Sequence, residues 1–147
     1  RKTTAPTPPF ARGYHFCSAY VESDTVYVFG VERRRGGNKV EGFASTDLQT
    51  WKSFTALDLP GWSIFNNSVC KGDGRYIMAI EIGAPPEETG VPFTIRFAES
   101  KDLRTWTLTP PACVYAKDRY TSCPTLRRTF AARSSAPGVP STTLAAA

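Results

Sequence analysis

The chain has 147 residues, 41% of them hydrophobic and 21% charged, which fits one ordinary globular domain and excludes a disordered chain. No apolar run approaches the roughly 20 residues of a membrane helix, and the polar, proline-rich start from Arg1 to Pro9 has no signal-peptide pattern. The net charge of +5 comes from the ends: residues 1–12 and 127–147 hold Arg1, Lys2, Arg12, Arg127, Arg128 and Arg133 and no acid, so the middle is near neutral and no basic stripe for nucleic acid is present.

Residues 1–13 read as a tail. A first unit of four short strands occupies 14–58: Tyr14–Tyr20, Thr25–Glu32, Lys39–Ser45 and Trp51–Leu57. Turns around Glu22-Ser23-Asp24 and over Arg33–Asn38 separate the first three. A second unit occupies 62–110, with strands at Phe65–Lys71, Arg75–Ile82, Phe93–Ser100 and Trp106–Thr109. Its first two strands are joined by Gly72-Asp73-Gly74, a strong hairpin signal. Its next two are separated by a longer loop from Gly83 to Pro92. A third unit starts at 118–128, where Tyr120–Arg127 resembles another first strand. Residues 129–147 form an Ala/Ser/Thr/Pro tail without alternation, expected to be disordered. No 3.6-residue apolar stripe is present, so helices are not expected.

The units are copies. Ser45-Thr46-Asp47-Leu48-Gln49-Thr50-Trp51 returns as Ser100-Lys101-Asp102-Leu103-Arg104-Thr105-Trp106, 55 residues later. Phe43-Ala44 matches Phe97-Ala98, with one extra residue before the second Ser. Val26–Glu32 aligns with Arg75–Glu81, which makes Glu32 and Glu81 equivalent strand ends. Four-stranded units repeating at this spacing are propeller blades. The fold class is therefore all-β: an incomplete β-propeller of two antiparallel blades and the first strand of a third, expected to be a piece of a longer protein or a product whose ends lost the original reading. Its open blade faces predict self-association.

The repeated turn has a structural job. Ser and Asp side chains bond backbone N–H groups at turns, and the Leu and Trp then pack between sheets. Four cysteines without a Cys-x-x-Cys pair, and one histidine, argue against a zinc site, and no metal or cofactor is suggested. Cys17, Cys70 and Cys123 sit in apolar stretches and read as buried free thiols, with one disulfide as the alternative that spacing does not assign.

The Ser-x-Asp-Leu-x-x-Trp elements, Asn66-Asn67-Ser68-Val69-Cys70 followed by Gly74–Glu81, and Arg119–Leu126 together resemble the five-bladed β-propeller glycoside hydrolases of families 43, 62, 32 and 68, over about residues 14–128. The resemblance implies cleavage of glycosidic bonds by paired carboxylates in a central funnel, an oligo- or polysaccharide substrate, and a secreted or periplasmic setting, with no membrane or nucleic-acid partner. In that family the catalytic Asp and Glu sit on first strands, whereas Phe16–Tyr20, Phe65–Cys70 and Thr121–Leu126 contain neither. The carboxylates placed toward the funnel end are Glu32 and Glu81, the catalytic candidates. His15, Asn67, Arg119 and Tyr120 are the candidates for sugar contact, and Trp62 is read as packing. Two alternatives stand: a non-catalytic carbohydrate-binding propeller module, and an interaction scaffold of the kelch or WD-repeat kind, which the absence of Gly-His…Trp-Asp disfavours.

Overall fold

The computed structural model describes residues 8–32, 37–128 and, by backbone alone, 144–146. The first blade is a four-stranded antiparallel sheet of β1 (Tyr14–Glu22), β2 (Thr25–Glu32), β3 (Lys39–Ser45) and β4 (Lys52–Asp58), in chain order. The second repeats the order with β5 (Ser63–Lys71), β6 (Tyr76–Ala84), β7 (Thr94–Ser100) and β8 (Thr107–Leu108). One feature departs from the all-strand expectation. The loop after β6 contains a single helical turn, α1 (Pro86–Thr89), with proline at its first position, where a missing N–H costs nothing. The expected third start reduces to β9 (Leu126–Arg128), which pairs antiparallel with β10 (Leu144–Ala146). That pairing puts a short strand inside the stretch expected to be disordered; residues 129–143 and 147 lie outside the described residues, as do 33–36 of the first β2–β3 turn.

The repeated motif closes the β3–β4 and β7–β8 turns by local bonds. Ser45 Oγ accepts from Leu48 N at 2.8 Å, and Asp47 Oδ1 accepts from Gln49 N and Thr50 N at 2.8 and 2.7 Å. In the second copy Ser100 Oγ accepts from Leu103 N at 3.0 Å, and Asp102 Oδ1 from Arg104 N and Thr105 N, both at 2.8 Å. These bonds hold Leu48 and Leu103 at φ 60° and 63°, a left-handed conformation that leucine rarely adopts. The N–H donors of Thr50 and Gln49, then the Ser45 hydroxyl, lower the Asp47 pKa to about 2.

The main core fills the seam between the blades. Phe29, Val31, Val40 and Ala56 of the first blade meet Met78, Ile80, Leu103 and Trp106 of the second, and all are buried. Complete burial of one such aliphatic or aromatic side chain contributes about 1.5–3 kcal/mol. A smaller cluster of Cys70, Ile77, Ala79 and Ile95 lies on the far face of the second blade, covered by Leu126 of β9. Polar braces cross both seams. Ser18 Oγ donates to Asn67 Oδ1, and Asn67 Nδ2 donates to Phe16 O at 3.0 Å and Phe29 O at 3.3 Å. On the other side of the blade Leu126 N donates to Ser68 Oγ at 3.0 Å.

The ladders correct the alignment of the two copies. Val26 pairs with Ser45, and Tyr76 pairs with Ser100, so Val26 rather than Tyr27 is the counterpart of Tyr76. The β6–β7 ladder runs without a bulge through Glu99, so no residue is inserted before Ser100, and Phe43 corresponds to Ala98. Glu81 is then the counterpart of Val31, and Glu32 of Ile82. A slip of one residue carries a side chain to the opposite face. Both strands are apolar on both faces, so their pattern cannot tell the two registers apart.

Candidate functional site

The starts of the innermost strands β1 and β5, the ends of β2 and β6 and the start of β7 lie at one end of the two blades. The segment after β8 returns to the same end along β7: Tyr115 N donates to Ile95 O at 3.0 Å, and Thr121 N to Phe93 O at 2.8 Å. The loop bearing α1 joins it there through Val91 N and Lys117 O at 2.9 Å.

This topology lines up five rings across that end. His15 lies 6.2 Å from Phe16, Phe16 6.1 Å from Phe65, Phe65 4.8 Å from Phe93, and Phe93 5.6 Å from Tyr120, with interplanar angles of 53–78°. Tilted and edge-to-face contacts at these spacings are the favoured aromatic geometries. Phe16 is 49% and Tyr120 60% exposed, so the arc presents apolar ring surface to solvent at two of its members. Gly83 makes its middle: a Cβ there would sit 2.9 Å from the Phe65 ring and 2.8 Å from the Phe93 ring.

His15 and Tyr120, two of the sequence-derived contact candidates, thus form the ends of one arc. Arg119 stands beside Tyr120 but is turned onto its neighbour, with Nε and Nη2 each 2.9 Å from the Asp118 carboxylate. That pairing lowers the Asp118 pKa and raises that of Arg119. Asn67 is not at this surface. It is 6% exposed and its amide is committed to the seam bonds described above.

The two carboxylates are placed differently. Glu32 ends β2, exposed, on the rung opposite Tyr14 and next to His15. Together with burial and Glu41, its charge raises the Tyr14 pKa, burial having the largest effect. Glu81 is 4% exposed inside β6. Its Oε2 accepts from Asn66 Nδ2 at 2.6 Å and from Cys123 N at 2.9 Å, which braces the second blade to the third start. The expected equivalence of the two residues fails, because the register sends them to opposite faces.

Trp62 packs as expected. It lies against the main core with the Arg96 guanidinium 5.6 Å from its ring centre. Arg96 is fully buried, ion-paired to Glu88 of α1, and bonded to Thr109 O at 3.0 Å. The four cysteines are free thiols; Cys70 is buried as expected, and burial raises its thiol pKa, but Cys17 and Cys123 depart from expectation and are exposed, as is Cys113. Cys17 lies beside Gly30, on the side of the first blade that no other described sheet covers. Among the described residues no group of three or more His, Cys, Asp or Glu is placed to hold a metal ion, and no helix is long and apolar enough to cross a membrane, which says nothing of a β-barrel.

Sequence reading missed Phe16, Phe65, Phe93 and Gly83. The available signal was an aromatic early in each innermost strand, Phe16 and Phe65; that Phe93 and Gly83 complete the set depends on the β5–β6 and β6–β7 pairing.

No family model matches the sequence, and no curated protein does. Solved structures are similar in fold, among them two glycoside hydrolases. One is an exo-β-1,3-galactanase from Phanerochaete chrysosporium with β-1,3-galactotriose, at a TM-score of 0.55 and 16% identity, covering 65% of this chain and 25% of that one. The other is CoXyl43, a GH43 β-xylosidase/α-arabinofuranosidase from a compost microbial metagenome with xylotriose, in a calcium-free form, at a TM-score of 0.63 and 14% identity, covering 79% of this chain and 39% of that one. The chain spans well under half the length of either enzyme. At these identities the likeness establishes the fold: the chain is part of a β-propeller, built as the propellers of these glycoside hydrolases are.

Proposed function

We propose that this chain supplies the sugar-binding wall of a propeller glycoside hydrolase that cleaves glycosidic bonds between paired carboxylates in its funnel. The aromatic arc carries this reading. Sugar rings expose C–H faces that pack on aromatic surface, and ligand sites combine such apolar lining with a few polar groups. Here those groups are the His15 imidazole, the Tyr120 hydroxyl and, once released from Asp118, the Arg119 guanidinium. Glu32 is the carboxylate at the arc's end with access to solvent, so it is the better candidate of the two for acid–base work. Glu81 serves as a brace: a general acid has to reach a glycosidic oxygen in the funnel, whereas Glu81 is enclosed in a seam. Asn67 serves as a brace in the same sense. The second carboxylate of the pair comes from other blades of the whole protein, which acts on an extracellular or periplasmic glycan.

Two observations on similar folds make the probes concrete, since those enzymes hold galactotriose and xylotriose. Titration of either trisaccharide into the chain should shift the NMR signals of Phe16 and Tyr120. Phe16→Ala or Tyr120→Ala should weaken binding by roughly threefold to tenfold, the equivalent of about 0.5–1.5 kcal/mol. Binding indifferent to both changes would remove the arc from the site.

The second reading is a non-catalytic carbohydrate-binding module. It is favoured by the innermost strand cores, which carry no Asp or Glu between Phe16 and Tyr20 or between Phe65 and Cys70. Glu32→Gln in the longer protein separates the two: the hydrolase reading expects turnover to fall with binding retained, the module reading expects no turnover in either form. Val21 and Leu48, both exposed on the uncovered face of the first blade, support self-association of the isolated chain, which sedimentation at rising concentration will reveal.

A further inference from the structure

The two motif tryptophans each lie under a second aromatic ring, but the covering ring comes from different places. Trp106 of the second blade packs edge-to-face on Phe29 of the first, centroids 5.7 Å apart, and its backbone N donates to Ala56 O across the seam at 3.3 Å. Trp51, the matching residue of the first blade, faces the side that no other described sheet covers. Phe10 lies on it instead, 3.8 Å from ring to ring and 7° from parallel. Phe10 also meets Phe43 at 6.0 Å, and Tyr14 meets Phe43 at 5.2 Å, so four rings close over this corner.

The backbone is shaped for that placement. Ala11 and Gly13 take φ of 54° and 85°, and Tyr14 N donates to Ala11 O at 3.2 Å, which turns the chain tightly into β1. The Trp51 indole Nε1 is buried without a hydrogen-bond partner in the described structure, so this ring is covered for its apolar area and not for a polar contact.

We infer that residues 8–14 are a capping strap: Phe10 takes on Trp51 the place that a neighbouring blade takes on Trp106. The strap shields one corner of an otherwise open sheet face. It also occupies the contact that any neighbouring sheet would need there, so a docking blade has to displace it. Phe43 shows the consequence, for it is buried on a face that no other described sheet covers.

Nuclear Overhauser contacts between the Phe10 ring and the Trp51 indole in the unaltered chain test the contact directly; their absence overturns the inference, whatever any variant does. Phe10→Ala tests the role. Exchange of the Trp51 indole proton with water should quicken by roughly tenfold, as expected for local loss of cover, while the Trp106 indole, bonded to Leu103 O at 3.2 Å, keeps its rate. Phe10→Tyr should restore slow exchange. Equal Trp51 rates in all three chains would mean that Phe10 caps nothing. If Phe10→Ala prevents folding, Phe10→Val takes its place, a smaller side chain that leaves most of the indole uncovered: faster Trp51 exchange supports the cap and an unchanged rate refutes it.

Discussion

The two copies of the Ser-x-Asp-Leu-x-Thr-Trp turn are nearly identical in bonding and opposite in burial. Both leucines sit at φ near 60° under the same side-chain-to-backbone bonds. Leu103 is 1% exposed, in the seam between blades, whereas Leu48 is 44% exposed, on the open side of the first blade. The two copies, identical at five of their seven positions, thus make the same turn with or without a neighbour. Turn geometry is a local property of the motif, and its contribution to stability beyond the turn is set by what packs on it.

Four tests would break or sharpen this comparison. The largest effect is expected at the tryptophans. Trp106→Ala should cost about 3–5 kcal/mol, by the cavity it opens in the seam, and Trp51→Ala roughly half as much, since only the strap covers it. Urea unfolding of both variants measures the difference, and equal losses would show that the open side is as well packed as the seam. Next is the seam's polar brace. Asn67→Ala leaves the Phe16 and Phe29 carbonyls without their donor and should cost about 1–3 kcal/mol.

The leucines give a change of sign. Leu48→Gly relieves a left-handed leucine that has little packing to lose, and should stabilise by about 0.5–1 kcal/mol. Leu103→Gly relieves the same conformation but empties a core position, so it should destabilise by about 2–5 kcal/mol. Thermal unfolding of the pair tests it, and the same sign at both sites would break the distinction between local and tertiary contributions.

The smallest expected effect is on pH dependence, where the copies should agree. Backbone donors hold both motif carboxyls below their ordinary value, Asp47 at about 2 against 3.8. A carboxyl whose pKa is lower in the folded state contributes stability above its unfolded pKa and loses it as pH falls through the folded one. The contribution of Asp47 should therefore fade from about pH 4 to pH 2, and the Asp102 contribution should fall in the same direction. Carbon-detected NMR titration reads both midpoints, and Asp47→Asn should remove its part of the acid dependence. An Asp47 midpoint at the ordinary value would show that its turn bonds are not held in solution.

The site divides along the same line. The repeat put His15 at the start of β1 and Tyr120 at an expected third strand start, and both come to this end of the blades although Tyr120 lies outside any strand. The Phe65–Phe93 contact was not legible, because those rings meet through pairings of β5 with β6 and β6 with β7, across a glycine whose importance is visible only when the rings surround it. Glu32 and Glu81 look alike in sequence, each ending an apolar run. Ladder register separates them into an exposed strand end and an enclosed brace.

The sequence by itself determined the blades, their strand order and the chemistry of their closing turns. Those rest on hydrogen bonds between residues two or three apart and on turn residues that act wherever the chain places them. Tertiary structure decided the register between copies, the face each side chain takes, and therefore which carboxylate is enclosed and which rings meet. Strands apolar on both faces satisfy either register locally, and only the seam, where Val31 has to enter the core and Glu81 has to find the Cys123 N–H, selects one.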